Sequence, residues 1–244
     1  MRKSVIITGA SRGIGRAAAL RFSREGWQVV IQYLTGEKQA MELLGEIRSG
    51  GADAIAVRAD VSNRQDVDRM VKACVENFGG VSVLVNNAGI AQSRLFTDIT
   101  ANDWDRMMNV NVKGVFYTCQ AVLPHMIHKK SGKIINVSSM WGQVGAACEV
   151  HYSAAKAAVI GLTKALAKEV APSGIQVNCV APGVIKTNML SEYSDDELRE
   201  LAMETPLLRL GTPEDVADTI YFLASSQSDF MTGQVLCPNG GFVI

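Results

Sequence analysis

The chain has 244 residues, 48% of them hydrophobic, and its 24 acidic and 24 basic side chains cancel. That length suits one core-forming α/β domain, and the charge balance excludes an overall field for nucleic acid or an anionic membrane. The five cysteines (Cys74, Cys119, Cys148, Cys179, Cys237) lack any CxxC spacing, which argues for reduced, packed thiols over a disulfide or zinc framework, and no apolar run reaches the roughly 18 residues of a membrane span, so a cytoplasmic protein with no bound metal is expected.

Short β-branched runs at 4–8, 28–33, 54–58, 81–86, 133–138, 176–180 and 234–237 read as strands. Amphipathic stretches at 13–25, 36–49, 63–78, 103–129, 151–171 and 213–224 lie between them as helices. Start signals include Ser62-Asn63 and Thr212-Pro213-Glu214. Alternating strand and helix predicts a doubly wound, mostly parallel seven-stranded sheet with helices on both faces, a single Rossmann fold spanning residues 1–244. Residues 109–127 and the helix at 151–171 are apolar on more than one face, which predicts self-association, as a homotetramer or dimer, through the helices around 103–129 and 151–171.

The first strand runs into Gly9-Ala10-Ser11-Arg12-Gly13-Ile14-Gly15 and then a helix. Free backbone N–H groups at a helix start, approachable because the loop glycines carry no Cβ, predict a pyrophosphate site. The second strand ends in Gln32-Tyr33, with no acid before Glu37 to accept a ribose hydroxyl. Arg12 offers a guanidinium for a 2′-phosphate, so the expected cofactor is NADP(H).

Further along, Tyr152 and Lys156 stand four residues apart in the run YSAAK, neighbours on one face of the predicted helix. Phenol titrates near 10, and about 4 kcal/mol of differential stabilisation brings it to neutrality. The Lys156 ammonium and a positive nicotinamide ring are expected to supply it, making Tyr152 an acid and base near neutral pH. His125 and His128 read as surface or interface residues, and His151 as pointing away around the helix. Met140, Trp141, Cys148 and Tyr193 flank the serine pair Ser138-Ser139 or sit in a following lid, and serve as candidate pocket walls. The lid is expected at about 188–210, where Met189, Tyr193 and Met203 would select substrate.

TGASRGIG, Asp60-Val61, Asn86-Asn87-Ala88-Gly89, Asn111, Ser139, YSAAK and Pro182-Gly183 together resemble the short-chain dehydrogenase/reductase family across the whole chain. The resemblance implies that Asp60 and Val61 lie at the adenine, Asn87, Ala88 and Gly89 along the adenosine, and Ile185 and Thr187 near the nicotinamide amide. It selects Ser139 over Ser138 to bind the substrate carbonyl, and Asn111 over Asn109 to hold a water in a proton relay reaching Lys156. Within the family the likeness is greatest to the 3-oxoacyl-[acyl-carrier-protein] reductases, through Arg12, Gln32-Tyr33, the segment 208–217 and the end Asn239-Gly240-Gly241. That implies NADPH-dependent reduction of a 3-oxoacyl thioester in fatty acid synthesis. The turn Ala171-Pro172-Ser173-Gly174 lacks the basic residue such reductases often use to dock a carrier protein, leaving Lys129, Lys130 and Lys133 as a substitute patch. The alternatives are a dehydrogenase of a small ketone, sugar or polyol, and a non-catalytic NADP(H) sensor; the complete set Ser139, Tyr152, Lys156 argues against the sensor.

Overall fold

The computed structural model of the protein describes residues 3–190 and 193–244, apart from the side chain of Met189. Among these, β1 (Ser4–Ile7), β2 (Gln28–Tyr33), β3 (Ala54–Arg58), β4 (Val83–Asn86), β5 (Gly132–Val137), β6 (Ile175–Val180) and β7 (Val235–Leu236) pair in the order β3-β2-β1-β4-β5-β6-β7. Every pairing is parallel. Parallel strands need covering on both faces, which is why they read as runs of Val and Ile. On β1, Val5 and Ile7 enter one buried cluster while Ile6 enters the other, the period of two that a pleat imposes.

The helices α1 (Gly13–Arg24), α2 (Glu37–Ser49) and α9 (Pro213–Ala224) cover the first face through Phe22, Leu43, Leu44 and Ile220. The second face is closed by α3 (Arg64–Phe78), α5 (Gly114–Lys129) and α7 (Val150–Val170), through Met70, Val122, Met126 and Val159. Asn63 caps α3 by accepting from Asp66 N, and Thr212 with Asp215 closes a capping box at α9, with Pro213 in its first turn.

The helix predicted at 103–129 is two helices. A capping box between Thr100 and Asp103 starts α4 (Ala101–Met108), a π-helical turn covers Asn109–Lys113, and α5 follows. The short α6 (Trp141–Val144) and the lid helix α8 (Asp195–Glu204) complete the chain's helices among the described residues. No helix there is long and apolar enough to cross a membrane.

One surface expectation changes with the fold. Lys133 is no part of an accessible basic patch, because its ammonium donates to the Ser225 carbonyl and pairs with Asp229 at 2.8 Å. Lys129 and Lys130 remain exposed, as do His125 and His128. All five cysteines are free; burial pushes Cys74, Cys119 and Cys179 up to about 12, so they stay protonated thiols.

Candidate active site

The strand order reverses between β1 and β4, and the crevice at their carboxyl ends is where an open α/β sheet places its ligand. Gly9 turns the chain there at φ +65°, and a Cβ on it would lie 2.9 Å from the Ala88 Cα. At Gly15 a Cβ would lie 2.4 Å from the Gly9 carbonyl oxygen and 2.6 Å from Asn87 Nδ2. The loop is therefore backbone packed on backbone. The first turn of α1 has no side-chain cap and no acidic residue, leaving N–H groups unclaimed by a cap at the positive end of the helix, so the cradle fits a dinucleotide pyrophosphate. Thr8, missed by sequence reasoning, ties the two loops: its Oγ1 accepts from Asn87 N and Ala88 N, both at 2.9 Å, while Asn87 Nδ2 donates to the Thr8 carbonyl. Gly15→Ala is expected to weaken NADPH binding at least tenfold in a fluorescence titration, because backbone rather than a side chain would have to move.

Around this cradle, Ser11 and Tyr33 are buried and Arg12 is exposed at the N-cap of α1, without an ion pair among the described residues. Gln32 accepts from Gly9 N at 2.7 Å and donates to the Ala59 carbonyl at 2.6 Å, so its buried amide braces the glycine loop. Asp60 turns its carboxylate to Ser62, accepting from N and Oγ at 2.8 and 2.7 Å. Val61 is buried against Gly114. Gly13 lies beside Thr187, bringing the glycine loop to the segment after β6.

One open cleft collects most of the remaining candidates. Ile14, Asn87, Gly89 and Asn111 line it from the cofactor side, with Ser139, Tyr152 and Lys156 at its centre. Pro182, Gly183, Ile185 and Thr187 form another wall. Met140, Trp141 and Tyr193 also line it. Cys148 does not; it sits partly buried at φ +60°, its carbonyl accepting from Arg94 N. Met203, at 70% exposure, is replaced by Leu190 and Leu201 as lid contacts. The Met189 side chain, with Ser191 and Glu192 of the predicted lid, lies outside the described residues.

The two serines have different partners. Ser138 Oγ donates to the Lys156 carbonyl at 2.8 Å and is spent on anchoring α7. Ser139 Oγ accepts from Trp141 N at 3.2 Å and lines the same cleft as Tyr152. The Lys156 ammonium donates to the Val137 carbonyl at 3.0 Å and stands 5.6 Å from the Tyr152 ring centre. Burial lowers Lys156 to about 8.

Tyr152 departs from the expected electrostatics. Burial pushes its phenol up to about 12, the Ser139 hydroxyl opposes that, and the field of Glu149 adds to it. Desolvation wins because the ammonium is committed to a backbone carbonyl instead of the phenol oxygen. In the protein alone Tyr152 is thus a protonated hydrogen-bond donor at neutral pH.

Asn111 sits in the π-helical turn, a break in the helix ladder of the kind found at functional sites. Its Nδ2 donates to the Ile90 and Met107 carbonyls at 3.0 and 3.1 Å, and its Oδ1 accepts from Ile90 N. A Cβ on Gly89 would meet both Asn111 Oδ1, at 2.6 Å, and Lys156 Nζ, at 3.4 Å, so this glycine opens the space between amide and ammonium.

A second polar group braces the start of α7. His151 is fully buried outside the cleft, with Nε2 3.1 Å from Gln92 Oε1; Gln92 and Arg94 both reach Asp103, at 3.3 and 2.7 Å. Sequence spacing gave no sign of this link between α4 and α7. It also missed Glu149, the one lining carboxylate among the described residues, whose carboxyl is raised by burial.

Comparison with known proteins agrees with this geometry. A family model described as enoyl-(acyl carrier protein) reductase matches residues 9–243. The 3-oxoacyl-[acyl-carrier-protein] reductase FabG of Staphylococcus aureus is 43% identical over 99% of this chain and 98% of its own. A 3-oxoacyl-[acyl-carrier-protein] reductase of Synechocystis is 42% identical over 98% and 96%. The (2S)-[(R)-hydroxy(phenyl)methyl]succinyl-CoA dehydrogenase subunit BbsD of Thauera aromatica is 42% identical over 97% and 94%. With its seven-stranded parallel sheet and a match over nearly its whole length, the chain belongs to the short-chain dehydrogenase/reductase family, whose members are oxidoreductases of carbonyl and CH–OH groups that use a nicotinamide cofactor.

Proposed function

We propose that the protein is an NADP(H)-dependent carbonyl reductase with a 3-oxoacyl thioester as its substrate. The observation that carries the reductive reading is the buried Tyr152, its phenol pushed up by burial, on one cleft wall with Ser139 and Lys156. The thioester rests on relatives that are named for 3-oxoacyl-carrier-protein and acyl-CoA chemistry.

Thr8, Gly9, Ser11, Gly13, Ile14 and Gly15 would hold the pyrophosphate side, Asp60, Val61, Asn87, Ala88 and Gly89 the adenosine, and Pro182, Gly183, Ile185 and Thr187 the nicotinamide end. When bound there, NADPH supplies a hydride. Ser139 donates a hydrogen bond to the substrate carbonyl and stabilises the oxyanion as it develops. Tyr152 delivers its phenolic proton to that oxygen, giving the alcohol. Lys156 holds positive charge beside the phenolate left behind, and Asn111 keeps the channel past Gly89 through which a proton returns.

A carrier-linked substrate is separated from a free thioester by kinetics. If Lys129 and Lys130 dock an acidic carrier, acetoacetyl carrier protein should be reduced with a lower Michaelis constant than acetoacetyl-CoA, and the difference should shrink with added salt. A small ketone, sugar or polyol reduced in preference to both thioesters would overturn the thioester assignment.

For the cofactor, Arg12 and the absence of an acid at the end of β2 favour the 2′-phosphate. Arg12→Ala should raise the Michaelis constant for NADPH roughly ten- to a hundredfold and leave that for NADH nearly unchanged, the scale of one lost charge-assisted hydrogen bond. Equal changes for both cofactors would show that Arg12 does not read the phosphate.

Self-association belongs to the same reading. Phe116 and Ile127 of α5 are each 46% exposed, and Phe230 is fully exposed. Apolar side chains in those positions fit burial against further copies of the chain, as a dimer or tetramer, which light scattering would measure.

A further inference from the structure

The cleft contains a group that neutral carbonyl reduction does not use. Glu149 stands three residues before Tyr152, at the N-cap of α7, and its side chain lines the cleft. It caps no N–H of its own helix. Among the described residues its carboxylate makes neither a hydrogen bond nor an ion pair, although the residue is partly buried. Lys156, the other charged lining group among the described residues, is committed to the Val137 carbonyl. Glu149 therefore brings a desolvated carboxylate, without a protein partner, to the wall facing the substrate.

Such an arrangement is unfavourable for the protein alone. Burial already pushes the Glu149 carboxyl up, and its negative field raises the phenol it sits beside. A ligand cation removes both penalties, since a partly desolvated carboxylate forms its strongest hydrogen bonds with charged donors. The remaining walls suit the same ligand. Trp141 and Tyr193 line the cleft with aromatic surface, and the Trp141 ring is held edge-to-face by Phe242 at 5.8 Å. Aromatic faces attract cations while accepting alkyl chains, and a carboxylate beside them is the chemistry of ammonium recognition.

We propose that Glu149 is a specificity-determining residue that selects carbonyl substrates bearing an ammonium group, which it pairs while the carbonyl lies against Ser139 and Tyr152. The proposal rests on the carbonyl-reductase part of the functional reading and not on its thioester part. Glu149 takes no part in hydride or proton transfer; it sets which carbonyl compounds reach the centre in the right register.

The test uses methyl ketones of graded chain length ending in a dimethylammonium group, each paired with its neutral isopropyl isostere. A tertiary amine remains protonated at neutral pH and cannot close onto the ketone as a cyclic imine. With wild-type protein and NADPH, kcat/KM is expected to favour the cation at least tenfold at the best chain length. In Glu149→Gln that ratio should fall to near one. Because the ratio compares two substrates on one protein sample, any loss of folded protein cancels. Equal rates for both members of every pair, or a preference that survives in Glu149→Gln, would overturn the proposal while leaving carbonyl reduction intact. No NADPH oxidation with any ketone or 3-oxoacyl thioester would instead overturn the reductase reading itself, and this proposal with it.

Discussion

Tyr152→Phe should lower kcat by about 10²–10⁴, the usual contribution of a positioned general acid, while NADPH binds as before. Tyr152 is only 8% exposed and its ring packs with Met107 and Ala155, against Ile90 and Trp141. A phenylalanine keeps all of that packing. What it loses is the proton, while Ser139 Oγ still accepts from Trp141 N at 3.2 Å and so stays in place. Stopped-flow measurement of the chemical step, with cofactor affinity followed by fluorescence, separates the two effects. Near-normal reduction by the variant in single turnover would remove Tyr152 as the acid.

Lys156→Met should do two opposite things, a loss of activity of at least a hundredfold and a gain in stability at pH 7. Burial lowers the Lys156 ammonium from 10.5 to about 8 in the folded protein. Between those values the unfolded chain binds more protons than the folded one, so this group's contribution to stability rises with pH across the window; below about pH 8 its whole cost is present. The shift corresponds to about 3 kcal/mol, and losing the bond to the Val137 carbonyl returns about 1 kcal/mol, leaving roughly 2 kcal/mol in favour of methionine at neutral pH. Urea denaturation of both proteins without cofactor should show that gap shrinking between pH 8 and pH 10.5. The buried thiols and Tyr152 titrate in both proteins, so the difference isolates Lys156. A variant less stable than wild type at pH 7, or a gap independent of pH, would contradict the assignment of a buried charge retained for function at the expense of stability.

Much of this architecture could be read from residue order. β-branched runs alternating with amphipathic stretches placed all seven strands, because a strand buried on both faces must be apolar along its length. The divided helix was less visible: Asn109, Val110, Asn111, Val112 and Gly114 are weak helix formers, but weak propensity alone does not specify the π turn in which the Asn111 amide bonds to Met107. Spacing could propose Ser139 over Ser138, but it said nothing of the environment of Tyr152. Sequence shows that a lysine stands one turn away, but whether its ammonium faces the phenol or a backbone carbonyl depends on how β5 meets α7. Gln32 was equally opaque, since a glutamine closing a strand looks the same whether it faces ribose or braces Gly9. Glu149, Thr8 and the Gln92–His151 link escaped because each acts across more than fifty residues of sequence or lacks a local motif.

Isotope transfer tests the central claim most directly. Wild-type protein incubated with NADPH deuterated at C4 and an acetoacetyl thioester should yield 3-hydroxybutyryl thioester carrying deuterium at C3, in step with cofactor consumption, as read by mass spectrometry. Product without deuterium at that carbon, or cofactor left unconsumed with this thioester and with every ketone offered, would contradict carbonyl reduction at Ser139, Tyr152 and Lys156.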